Sequence, residues 1–262
     1  MKVIDGRIAG FKAYDLRGKV PDELDEQLAH DVGRAYARVV GPRRVVVGHD
    51  VRLSCPEISG ALIEGLRRCG VDVLTLGQCG TEEVYYVTAE LGLDGGIMVT
   101  ASHNPVDYNG MKFVREGSRP ISSDTGLREI EQAVLDGNLP GDAGARGSVE
   151  PVDLRARYID HVLGFVDADA LTPLKVVANA GNGCAGPVME QLERRLPFEV
   201  TRLLYEPDGS FPSGVPNPLL PENRESTARA VREAGARLGV AWDGDFDRCF
   251  VYDEQGEFIE GY

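Results

Sequence analysis

Apolar residues along this chain follow two alternating rhythms. Continuous apolar runs bounded by turn residues read as strands buried on both faces, and runs with apolar positions three and four apart read as amphipathic helices. The stretch Arg44-Val45-Val46-Val47-Gly48 opens the series as a buried strand. A helix is expected over 56–69, with Pro56 in its first turn and Gly70 as its stop. A strand over 71–76 follows, then a helix over 81–91 begun by Thr81 with Glu82 and Glu83 favourable in its first turn. Strands over 96–100 and 111–114 and a helix over 125–135 complete the first half. Strands separated by helices imply a largely parallel sheet covered on both faces.

Residues 136–151 break this rhythm with Gly137, Pro140, Gly141, Gly144 and Gly147, which places a domain boundary there. The second half resumes with a helix over 154–165, a strand over 174–178, a helix over 187–196 and a strand over 198–204. After a Pro-rich loop at 212–221, a helix over 222–236 and strands over 238–242 and 249–253 are expected. The reading is two consecutive three-layer α/β domains with mixed, mostly parallel sheets, at 1–148 and 149–254. Residues 255–262 follow a hairpin with no helix or cap, and are expected to open a further domain.

Composition narrows the function classes. Hydrophobic content of 42% and charged content of 27% are those of an ordinary globular protein. The net charge of −14 argues against a nucleic-acid partner, because phosphate backbones are held by basic surfaces. No apolar run is long enough to span a membrane, and the polar start does not resemble a secretory signal. Cys55, Cys69, Cys79, Cys184 and Cys249 form no C-x-x-C pair, the usage of reduced cytoplasmic thiols.

Two loops carry candidate chemistry. Thr100-Ala101-Ser102-His103-Asn104-Pro105 places a hydroxyl just past a strand, at the carboxyl edge where open α/β sheets put their ligands. No Gly-x-Ser-x-Gly elbow surrounds Ser102, which removes the serine-hydrolase reading. Lys112, on the following strand, could neutralise charge developing in a phosphoryl transfer. In the second loop, Asp243, Asp245 and Asp247 alternate along a tight turn that closes on Arg248. Three converging carboxylates would repel by several kcal/mol unless they diverge or hold a cation. An all-oxygen set suits Mg²⁺ or Ca²⁺.

Other readings of the acidic loop are a solvated turn, a calcium loop and an aspartyl nucleophile of the haloacid-dehalogenase type. The calcium loop conflicts with Arg248, which stands where that loop needs glycine, and with the strand expected next. Separately, Gly181-Asn182-Gly183-Cys184-Ala185-Gly186 between a strand and a helix, with Glu206 further on, nearly completes a dinucleotide fingerprint. It leaves open a nicotinamide-dependent oxidoreductase.

These stretches, taken with Tyr108-Asn109-Gly110-Met111-Lys112 and Ala13-Tyr14-Asp15-Leu16-Arg17-Gly18, resemble the α-D-phosphohexomutases in motif, order and spacing. The segment from Gly214 to Glu222 and Asp247-Arg248-Cys249-Phe250 resemble the bacterial phosphomannomutase branch, which supplies GDP-mannose. The resemblance implies that Ser102 carries a phosphoryl group. It implies that a phosphate oxygen on Ser102 joins Asp243, Asp245 and Asp247 around Mg²⁺, in a cleft shared by the two domains. Lys112 and Arg248 would polarise the transferring group, and His103 would assist proton transfer. Tyr14, Arg17 and Asn104 would meet the phosphosugar substrate. The implied reaction interconverts mannose 6-phosphate and mannose 1-phosphate through a bound hexose 1,6-bisphosphate, with phosphoglucomutase or dual-specificity activity as the alternative. Family members have four domains, so domains III and IV, which grip the sugar, have no counterpart here. The chain alone is therefore expected to show little turnover.

Overall fold

The computed structural model describes residues 2–261. They divide into two compact units that meet in the chain at Asp153 and Leu154.

The first unit begins with a small hairpin, β1 (Val3–Ile4) and β2 (Arg7–Ile8), then β3 (Leu16–Lys19) and α1 (Glu26–Val40). Next come β4 (Arg44–His49), α2 (Cys55–Arg68), β5 (Asp72–Gln78), α3 (Thr81–Glu90) and β6 (Gly95–Val99). The unit ends with β7 (Tyr108–Arg115), β8 (Arg119–Pro120), α4 (Arg128–Leu135) and β9 (Val149–Pro151). Its sheet runs β3-β7-β6-β4-β5-β9, with β8 on β7. The centre, β6-β4-β5-β9, is parallel, and β7 is antiparallel to β3, β6 and β8.

Helix α1 was not among the elements expected from the pattern. Its buried stripe of Leu28, Val32, Ala35 and Tyr36 is diluted by Gly33 and Arg34, but its ends are well marked. Asp25 accepts the Leu28 N–H at 2.7 Å, and Gly41 closes the helix at φ 65°. Helices α1 and α2 approach so closely that a Cβ on Gly65 would lie 2.1 Å from the His30 carbonyl oxygen. Adjacent glycines in β6 serve opposite faces. A Cβ on Gly95 would strike the Tyr36 hydroxyl from α1, and one on Gly96 would strike Thr88 and Val84 from α3. The sheet is thus covered on both sides, and its main core holds Leu28, Val32, Val45, Val47, Leu62, Ile97 and Phe113. Helix α4 begins three residues later than expected, because Gly126 at φ 136° keeps Ser123–Leu127 in a wide turn.

The second unit comprises α5 (Arg155–Leu163), β10 (Leu174–Asn179), α6 (Ala185–Leu192), β11 (Phe198–Leu203), α7 (Glu225–Ala234), β12 (Leu238–Trp242), β13 (Cys249–Tyr252) and β14 (Phe258–Ile259). The sheet order is β11-β10-β12-β13-β14, with β11-β10-β12 parallel and the last two strands antiparallel. Val177, Val231, Ala241 and Tyr252 anchor its core.

Two expected boundaries move. Residues 149–151, expected to open the second domain, form β9 and pair with Val73–Thr75 of the first sheet. Asp72 fixes the approach to this strand by accepting from both the N–H and the hydroxyl of Ser148. At the other end, residues 258–259 join the second sheet as β14 rather than standing apart from it. Among the described residues, no helix is long and apolar enough to cross a membrane.

Candidate active site

The loop between β6 and β7 leaves the sheet at the carboxyl end of β6, beside the parallel end of β4. Ser102 sits in it fully buried and in the left-handed backbone region, at φ 52°. Its N–H donates to Thr100 Oγ1 at 2.8 Å, and its own Oγ lies 3.1 Å from His103 Nδ1. A hydroxyl in hydrogen-bond contact with an imidazole can exchange a proton with it.

Beneath the loop lie two residues that no sequence motif marked. Arg52, 1% exposed, donates through Nη2 to the carbonyls of Ser102 (2.9 Å) and Asn104 (2.6 Å). Through Nη1 it donates to the carbonyls of Pro105 (2.7 Å) and Tyr108 (2.9 Å). Asp50, equally buried, accepts from the Thr100 hydroxyl at 2.7 Å and from the Cys55 thiol at 3.0 Å. Burial, then the Asp50 charge, push the Cys55 thiol well above its ordinary pKa, so it stays protonated. The available signal was Asp50-Val51-Arg52 just past a buried strand, at the sheet edge where ligands collect.

The structure brings Arg17 and Asn104 together, with Nη1 of Arg17 donating to Asn104 Oδ1 at 2.7 Å. Asp15 Oδ2 holds the same guanidinium at 2.7 Å. Both residues line an open depression of about 530 Å³ that also holds Lys12 and Tyr108. Tyr14 does not line it and is 78% exposed. Lys112 projects from β7 opposite Met98, with Nζ 3.5 Å from Thr81 Oγ1 at the start of α3. The Asn109-Gly110 step before it is structural, since a Cβ on Gly110 would lie 2.2 Å from the Leu16 carbonyl oxygen.

In the second unit the acidic loop follows β12. Phe246, at φ 48°, donates its N–H to the Asp243 carbonyl at 3.1 Å and turns the chain back. Asp243, Asp245 and Asp247 each bring a carboxylate oxygen within 4.8 Å of the others. Asp243 and Asp245 are fully buried, whereas Asp247 is partly exposed. Arg248 binds this cluster directly, with Nη2 2.5 Å from Asp243 Oδ2 and Nε 3.7 Å from Asp247 Oδ1. Three hard oxygen donors at this spacing fit a Mg²⁺ ion, whose remaining positions water and phosphate oxygens can fill. The calcium-loop reading fails, because Cys249–Tyr252 is a strand and position six is Arg248.

The glycine run at 181–186 packs on the protein itself. A Cβ on Gly183 would lie 2.7 Å from the Gly244 carbonyl oxygen, and one on Gly186 would lie 1.9 Å from that of Tyr205. The Cys184 N–H donates to Gly244 O at 2.9 Å. Gly183 thus braces the acidic loop, and Gly186 packs on the segment after β11, so the run serves close backbone packing.

Comparison with known proteins assigns both units to one family. The model for "Phosphoglucomutase/phosphomannomutase, alpha/beta/alpha domain I" matches residues 9–141, and that for domain II matches residues 156–256. The chain is 55% identical to a phosphomannomutase of Salmonella typhimurium, over 98% of this chain and 58% of the relative. It is 52% identical to a phosphomannomutase of Escherichia coli K12, again over 98% and 58%. A crystal structure of a phosphoglucomutase/phosphomannomutase family protein from Burkholderia thailandensis superposes with a TM-score of 0.88 at 37% identity, over 98% of this chain and 57% of that one. The chain thus spans little more than half the length of these relatives.

Proposed function

Because the chain belongs to the phosphoglucomutase/phosphomannomutase family of α-D-phosphohexomutases, we propose that it is the phosphoryl-carrying and metal-binding part of a cytoplasmic phosphomannomutase. The observation that carries this reading is the buried Ser102 hydroxyl 3.1 Å from His103, on a loop whose shape is fixed from below.

Phosphorylated Ser102 gives its phosphoryl group to the free hydroxyl of a hexose monophosphate, forming the 1,6-bisphosphate. The P–O bond to Ser102 breaks as the bond to the sugar oxygen forms, and the proton of the sugar hydroxyl passes to His103. His103 Nδ1 is placed to protonate Ser102 Oγ as it leaves, and to take that proton back on return. The bisphosphate then turns end for end, and its other phosphate returns to Ser102. Asp243, Asp245 and Asp247 would hold a Mg²⁺ ion, which would supply positive charge to the phosphoryl transfer. Arg248 keeps those carboxylates close together, and Arg17 with Asn104 presents donors to the sugar phosphate. The relatives are longer than this chain, and domains III and IV of the same enzyme would supply the remaining grip on the sugar.

A coupled assay with mannose 1-phosphate tests this. The 262-residue chain alone should give little or no conversion, and a longer polypeptide joining it to the two further domains should turn over. Ser102→Ala should abolish the reaction. Robust conversion by the chain alone would refute the need for further domains. A longer polypeptide inactive on both mannose and glucose phosphates would remove the mutase reading.

A further inference from the structure

We propose that Thr100, Asp50 and Arg52 are positioning residues of the phosphoryl transfer, a buried relay that grips both backbone groups of Ser102 and fixes where its hydroxyl points. The inference rests on Ser102 being the phosphoryl carrier.

At φ 52°, Ser102 occupies a backbone region that side-chain-bearing residues adopt only when their surroundings hold them there. Both of its peptide groups are held by side chains. Thr100 Oγ1 accepts its N–H at 2.8 Å, and Arg52 Nη2 donates to its C=O at 2.9 Å. The two grips join through one carboxylate. Asp50 Oδ2 accepts the Thr100 hydroxyl at 2.7 Å and lies 3.4 Å from Arg52 Nε, while Oδ1 accepts the Arg52 backbone N–H at 2.9 Å. Thr100, Asp50 and Arg52 are each 1% exposed, so water cannot substitute for any of these bonds.

A buried ion pair adds little net stability compared with well-packed apolar residues of the same size. What this pair does supply is direction. The planar guanidinium reaches four carbonyls across the loop, from Ser102 to Tyr108, and a lysine ammonium cannot reproduce that fork. If Ser102 relaxed to negative φ, Oγ would swing away from its present direction. Errors of about 1 Å in a reacting atom cost on the order of a hundredfold in rate.

The test uses the longer polypeptide and three variants. Thr100→Val keeps the side-chain shape and removes the hydroxyl, Thr100→Ser keeps the hydroxyl, and Arg52→Lys keeps the charge without the fork. For each, kcat and KM are measured, with the rate of Ser102 phosphorylation by hexose 1,6-bisphosphate followed by intact mass. Thr100→Val and Arg52→Lys should lose about tenfold or more in both rates, with KM within about twofold of wild type. Thr100→Ser should stay within about threefold. The Ser102 amide should exchange with solvent faster in Thr100→Val than in wild type or Thr100→Ser, a readout independent of activity. Wild-type kcat in Thr100→Val or Arg52→Lys overturns the proposal, as does a Thr100→Ser variant as slow as Thr100→Val. Should Thr100→Val not fold, Arg52→Lys against Thr100→Ser decides alone. A wild-type protein that is never phosphorylated on Ser102 defeats the functional reading instead.

Discussion

Replacing Asp245 by asparagine should stabilise the second unit without metal and weaken its response to Mg²⁺. The magnitude follows from the three carboxylate oxygens lying within 4.8 Å of one another. At that distance and an effective dielectric of about 20, each like-charged pair repels by about 3.5 kcal/mol. Asp245 takes part in two of the three pairs. Arg248, 2.5 Å from Asp243 and 3.7 Å from Asp247, offsets part of the repulsion, and solvent at Asp247 screens more of it. The relief left for Asp245→Asn in excess chelator is about 1–3 kcal/mol, or roughly 5–15 °C for a unit of this size. Mg²⁺ at a hundred times its Kd should stabilise the wild type by about 2.7 kcal/mol. A variant binding tenfold more weakly gains about 1.4 kcal/mol less, so the two melting curves converge or cross as Mg²⁺ is added. Trp242, the single tryptophan, immediately precedes Asp243, and its fluorescence reports this unit's unfolding. Melts are recorded in EDTA and across a Mg²⁺ titration. A variant less stable than wild type in EDTA, together with wild-type melting indifferent to Mg²⁺, would refute a repulsive cluster that needs a cation.

Two further outcomes test the frame around the site. Gly65→Ala should destabilise the first unit by about 1–3 kcal/mol in urea unfolding, because the new methyl would fall 2.1 Å from the His30 carbonyl oxygen; an unchanged midpoint would mean that α1 and α2 are not so tightly apposed. Asp94 accepts the N–H groups of Arg43 and Arg44 at 2.8 and 3.0 Å, and the Arg44 bond, then the Arg43 bond, outweigh burial and hold its carboxyl below the usual range. A depressed folded-state pKa stabilises the fold above the unfolded value of about 4, and the gain is lost as pH falls through the folded value. Asp94→Asn should therefore cost about 1 kcal/mol at neutral pH and almost nothing near pH 2, and a gap independent of pH would show that the carboxylate charge is not the cause.

Elements with an unbroken rhythm are legible in the amino-acid order alone. The Val45–Val47 run, the helix begun by Thr81, and the glycine-stopped helix before Gly70 can each be drawn within a residue or two. Helix α1 escaped because alanines, Gly33 and Arg34 dilute its stripe. Its ends and placement rest on the Asp25 cap and on packing against α2. The first boundary was misplaced because glycines mark flexibility and not membership. The segment after Gly147 is claimed by the first sheet through Asp72 and Val73, far back in the chain.

The candidate site divides along the same line. Local sequence determined the hydroxyl beside an imidazole, the alternating carboxylates and the arginine that closes them, because adjacent residues in a tight turn cannot avoid one another. It also determined that both loops leave the ends of buried strands. Only the tertiary structure decided what lies beneath Ser102. Asp50 and Arg52 reach that loop because β4 and β6 run parallel and adjacent, placing the carboxyl ends of strands some fifty residues apart in sequence side by side. Likewise only the folded chain showed that Gly183 packs on Gly244 and Gly186 on Tyr205. A strand's periodicity states which face is buried, but not which neighbour the sheet will set against it.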